Sequence, residues 1–168
     1  MRPLGRPDIV RLFGDPVPHI GPDGLIMRSW EQSILDSAEL PAPLPLSWNR
    51  AVEVRRFKCH RLLVPHFEAA LKRIFQSPEA WASIGDFGGC YAYRAQRGTR
   101  DTLSTHCWGI AIDLDVADNP MGGAPRVHER TIESFEMEGF LWGGRFAGKR
   151  RDPMHFEFAD PSKLGSGI

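Results

Sequence analysis

Two short stretches of this chain concentrate side chains suited to acid–base and metal chemistry. One is Ser104-Thr105-His106-Cys107-Trp108-Gly109-Ile110-Ala111-Ile112-Asp113-Leu114-Asp115-Val116; the other, about forty residues on, is Asp152-Pro153-Met154-His155-Phe156-Glu157-Phe158-Ala159. In the first, Ile110, Ile112, Leu114 and Val116 alternate with Ala111, Asp113 and Asp115, the period of a strand with one buried apolar face and carboxylates on the other. In the second, Met154, Phe156 and Phe158 point one way while His155 and Glu157 point the other. If the two strands are neighbours in one sheet, His106, Asp113 and His155 converge on a point. Two imidazoles and a carboxylate with a fourth position left open form a catalytic zinc set. A single His or Asp beside a strand is more often a hydrogen-bonded structural group, and spacing alone leaves that reading open. Gly109 allows the backbone to turn between His106 and its strand, and Ala111 keeps the face beside Asp113 open.

These strands must sit in a domain, and 168 residues suffice for one ordinary domain and no more. Residues 1–47 carry eight of the fourteen prolines and show one short helical stretch, near Ser29 to Leu35. They are expected to form an arm packed on a catalytic domain of residues 48–168, with Ile20, Leu25, Ile26 and Trp30 to bury; a disordered tail is the alternative. From Trp48 the pattern reads as helical, most clearly after Pro65, where Phe67, Ala70, Leu71 and Ile74 form one stripe. Ile84 to Tyr93 reads as a strand and turns leading into a polar loop, Arg94 to Thr102. A further helix is expected from about Arg126 to Glu138, stopped by Gly139.

Lys plus Arg and Asp plus Glu are 21 each, so the molecule as a whole has no electrostatic reason to seek nucleic acid or an anionic membrane. No run approaches the ~20 apolar residues of a membrane span, and Met1 to Pro7 leads into no apolar leader core. The chain is therefore expected to be made in the cytoplasm without a signal peptide. Cys59, Cys90 and Cys107 are odd in number and lack a C-x-x-C pair, which argues against a disulfide framework and for a reducing compartment.

Ser104-x-His106-x-x-Gly109-x-Ala111-x-Asp113, then Gly139-Phe140-x-Trp142-Gly143-Gly144, then Asp152-x-x-His155-x-Glu157, together resemble the D-alanyl-D-alanine carboxypeptidase and L-alanyl-D-glutamate endopeptidase family of zinc peptidases. That family includes vancomycin-resistance D,D-peptidases and phage endolysins. The likeness spans roughly residues 85–160 and leaves residues 1–47 outside it. It implies an α+β fold, a largely antiparallel sheet with helices packed on one side, shared with the hedgehog signalling domain. It also implies Zn2+ held by His106, Asp113 and His155, with the acid three residues before the last ligand, here Asp152, as general base. Glu157 competes for that role, its other reading being an acceptor that orients an imidazole. An arginine upstream of the first ligand holds the scissile carbonyl in this family; Arg94 is the first candidate and Arg97 the second. Ser104 and Arg97 are the expected substrate-binding residues.

The expected activity is hydrolysis of an amide in a peptidoglycan stem peptide, by a monomeric phage or prophage endolysin that reaches the wall through a membrane lesion. A wall-recycling peptidase of the cytoplasm is the runner-up. Arg145, Lys149, Arg150 and Arg151 form a basic run that could meet the stem's carboxylates. Competing readings are a non-catalytic zinc-containing binding module of the same fold and a thiol hydrolase using Cys90 or Cys107. A phosphate-binding loop at Gly143-x-x-x-x-Gly148-Lys149 fails because Arg150 stands where Ser or Thr is required and a strand pattern follows.

Overall fold

A computed structural model describes residues 1–96, 99 and 102–165. It is an α+β structure built on one six-stranded sheet in the order β2-β1-β3-β4-β6-β5. The strands are β1 (Leu35–Leu46), β2 (Asn49–His60), β3 (Phe87–Gly89), β4 (Ala111–Leu114), β5 (Phe140–Trp142) and β6 (His155–Phe158). All neighbours are antiparallel except β1 and β3, which meet in parallel at Leu46 and Phe87. The helices are α1 (Arg6–Phe13), α2 (Arg28–Ile34), α3 (Val64–Phe75), α4 (Pro78–Ala82) and α5 (Glu129–Met137).

α3 forms where expected. Pro65 occupies its first turn, and Phe67, Ala70, Leu71 and Ile74 are all fully buried. This stripe meets the sheet through aromatic contacts: Phe67 packs on Phe57 of β2 and Phe140 of β5, while Phe135 of α5 stacks on Phe156 of β6 at 4.5 Å. α5 is capped by His128, whose Nδ1 accepts from the Arg130 amide, so it starts later than Arg126.

Two sequence expectations are corrected. The residues after Trp48 are not helical; they form β2, paired with β1 across a two-residue turn at Ser47 and Trp48. The first half of β2 is largely exposed, so no apolar face marks it, and only Phe57, Cys59 and His60 near its end are buried. The proline-rich segment of the expected arm is itself a strand. Pro41 and Pro43 fall in a register shift between the Glu39 and Leu44 pairings, where missing amides cost the ladder nothing. The helical stretch near Ser29 is present as α2.

Candidate metal centre

β4 and β6 are neighbours, and their register sets Asp113 directly opposite His155 and Ala111 opposite Glu157. Their apolar partners Ile112 and Phe156 are fully buried against the helices, which fixes the strand faces. His106 arrives from the 3-10 helix Thr105–Trp108, capped by Ser104, whose Oγ accepts from the His106 amide at 3.4 Å. Gly109 then turns the chain into β4 with φ of 65°, and a Cβ there would stand 2.7 Å from the His60 amide nitrogen. One expectation fails at the end of β4: Asp115 leaves the strand face with φ of 53°. Its carboxylate accepts from the Gly85 amide and the Asn119 side chain, a local structural role.

His106 Nε2, His155 Nδ1 and Asp113 Oδ1 form a buried triangle with edges of 3.3, 3.3 and 2.9 Å. Ligands held about 2.0–2.2 Å from a tetrahedral ion stand roughly 3.3–3.6 Å apart, so the three atoms fit a zinc-sized cation after a small opening of one edge. Among the described residues these three form the group that could hold a metal ion. The outward nitrogens are also spoken for. His106 Nδ1 donates to the Cys90 carbonyl at 2.5 Å and His155 Nε2 to Glu157 Oε2 at 3.2 Å, so the inward nitrogens are the ones left to bind a metal. Thr105 Oγ1 donates to the same Glu157 oxygen and steadies it.

Burial opposes charge on Asp113, but His106 and His155 outweigh it and hold the carboxyl far below its usual range. Burial likewise opposes charge on His155, yet hydrogen bonds to Asp113 and Glu157 push its pKa up to about 10. Without a metal, a cationic imidazole thus sits between two carboxylates.

The group forms the floor of a cleft of about 1170 Å³ that also touches Arg94, Ser104, Phe146, Lys149, Arg150 and Asp152. Asp152 is held by its neighbours: its amide donates to the Gly143 carbonyl, its own carbonyl accepts from the His155 amide, and Trp142 Nε1 donates to the Pro153 carbonyl. A Cβ on Gly143 would lie 2.5 Å from the Asp152 carbonyl oxygen, which explains the glycine. Arg94 is half-buried, and its backbone is bound on both sides by the Cys107 thiol. Arg97 lies outside the described residues. In the basic run, Lys149 and Arg150 reach the cleft, whereas Arg145 pairs with Glu136 at 2.8 Å.

The cysteines are unsuited to nucleophilic work. All three are buried, and burial raises each thiol, that of Cys59 to about 12. The Gly143 to Lys149 segment folds as two short 3-10 turns followed by β6, with no helix to cradle a phosphate. Sequence reading missed the Cys90 carbonyl, Thr105 and a wall of the cleft made by Pro3, Leu4, Arg6 and Ile9. Backbone acceptors carry no residue signature, and no local pattern ties residues 3–9 to a site a hundred positions away.

Residues 97–158 match the family model described as D-alanyl-D-alanine carboxypeptidase. The matched stretch contains His106, Asp113, Asp152 and His155, begins just after Arg94, and is similar to a peptidase. No curated protein and no solved structure matches the chain. Among the described residues, no helix is long and apolar enough to cross a membrane.

Proposed function

We propose that this protein is a zinc-dependent peptidase that hydrolyses an amide bond in peptidoglycan stem peptides, as an L-alanyl-D-glutamate endopeptidase or a D-alanyl-D-alanine carboxypeptidase. The observation that carries this reading is the buried triangle of His106, Asp113 and His155, spaced as zinc ligands at the floor of an open cleft. When bound there, zinc would supply Lewis-acid activation of water and of the scissile carbonyl.

The chain's own residues supply the rest. Asp152, half-buried on the cleft wall, takes a proton from the attacking water and delivers it to the departing amine. Arg94 holds the scissile carbonyl oxygen as its negative charge grows. Glu157 fixes the His155 ring through Oε2, which also accepts from Thr105, and the proton transfers are assigned to Asp152. Ser104 caps the helix that carries His106 and lines the same cleft. A closed structural site would need a fourth protein ligand, and among the described residues the metal group has three, which supports catalysis over a binding module.

With that substrate we propose a setting of phage or prophage lysis, in which the enzyme meets the wall after passing a membrane lesion. The experiment is digestion of purified peptidoglycan by the zinc-loaded protein, with new termini identified by mass spectrometry. New amino termini at D-Glu or released D-Ala support the reading; intact peptidoglycan with a zinc-loaded protein contradicts it.

A further inference from the structure

The N-terminal segment does more than cover the domain. Pro3, Leu4, Arg6 and Ile9 line the same cleft whose floor holds His106, Asp113 and His155. α1 is anchored at its far end: Phe13 is buried against His60 and Phe158, and Ile9 is buried too. Gly14 closes the helix through its amide, which donates to the Val10 carbonyl, and its own carbonyl accepts from Trp108 Nε1 at 2.8 Å. Trp108 belongs to the 3-10 helix that carries His106. At its near end, the Arg6 guanidinium carbon lies over the Trp108 ring, 4.4 Å from the ring centroid. Two contacts to one fully buried indole therefore tie this segment to the helix that presents a candidate ligand.

A cation–π contact of this kind uses none of the guanidinium's N–H donors, and Arg6, an exposed side chain, has no ion pair among the described residues. A planar guanidinium that borders a cleft with its donors uncommitted is suited to bidentate capture of a carboxylate. We propose that Arg6 is a specificity-determining residue that binds a carboxylate of the peptide lying in this cleft, making the N-terminal segment one wall of the substrate site. This rests on the peptidase reading and adds a substrate requirement to it: a free carboxylate on the side of the peptide that meets α1.

The test compares R6Q and R6K with the parent protein, all zinc-loaded, on two synthetic stem peptides that differ only in whether their side-chain and terminal carboxyls are free or amidated. R6Q is expected to raise KM about tenfold on the free-carboxyl peptide, leave kcat within about twofold, and leave the amidated peptide unaffected. R6K keeps the charge but loses the planar fork, so its KM should fall between the two. Unchanged zinc content and melting temperature in R6Q show that the loss is not structural. An equal effect on both peptides, or none on either, overturns the proposal while leaving the peptidase reading intact. Failure of the parent protein to cleave either peptide contradicts the peptidase reading instead. Calorimetric binding of the same two peptides then still decides on Arg6: carboxylate-dependent affinity lost in R6Q supports its role, and equal affinities overturn it.

Discussion

The division of labour among the acids around the cleft can be separated one side chain at a time. D152A should retain zinc and lose about 10²–10⁴ of turnover, because a positioned base contributes on that order. H155A should lose the metal itself, as read by zinc content after dialysis. E157Q should weaken zinc binding by about 10–100-fold with kcat largely kept at saturating zinc, since the Glu157 carboxylate orients His155. A fully active D152A, with turnover lost in E157Q, would transfer the base to Glu157. The metal-free site also has a pH signature. Asp113 is depressed, so its stabilisation is present above about pH 4 and lost as pH falls further; His155 is raised, so its stabilisation is full below its ordinary value of 6.5 and lost as pH climbs through about 10. The melting temperature of metal-free protein should therefore decline from pH 6.5 towards 10, and this alkaline decline should be reduced in H155Q. The two alternating strands left the role of His106, Asp113 and His155 open, and the family resemblance singled out the same three residues that the fold gathers into one group. The tautomer-setting Cys90 carbonyl was not, because any residue can offer one.

At the level of elements, the alternation in residues 110–116 and 154–158 gave both strands, although the first ends at Leu114, before Asp115, and their antiparallel pairing brings the candidate ligands together. β1 and β2 escaped detection for opposite reasons. Three prolines disguised β1, two of them in a register shift, and an exposed hairpin left β2 without a repeating apolar face. The turn that carries Asp152 into β6 depends on Gly143, where a side chain would meet the Asp152 backbone and His155. G143A should displace that turn and cost roughly 10²-fold in activity, the scale of a misplacement near 1 Å. Hydrolysis rates with zinc content measured alongside will show whether the loss comes from a displaced Asp152 or a displaced His155. Activity equal to the parent would mean that the turn tolerates the shift.

Over the molecule as a whole the charges cancel, yet Arg6, Arg94, Lys149 and Arg150 all border one cleft. Composition could not reveal this, since only the fold brings residue 6 and residue 150 to one rim. Reversing Lys149 and Arg150 to Glu should raise KM on muropeptides severalfold at low ionic strength, with the difference shrinking as salt screens the cleft. An unchanged KM would remove these two side chains from substrate recognition. The α+β architecture with one largely antiparallel sheet follows the resemblance, and the N-terminal segment contributes both a strand to that sheet and a wall to the cleft. The most direct test is an anomalous difference map, recorded at the zinc absorption edge, from crystals of the zinc-loaded protein. The expected result is one strong peak bonded to His106 Nε2, Asp113 Oδ1 and His155 Nδ1 and open towards the cleft; a map with no peak among those three atoms would contradict it.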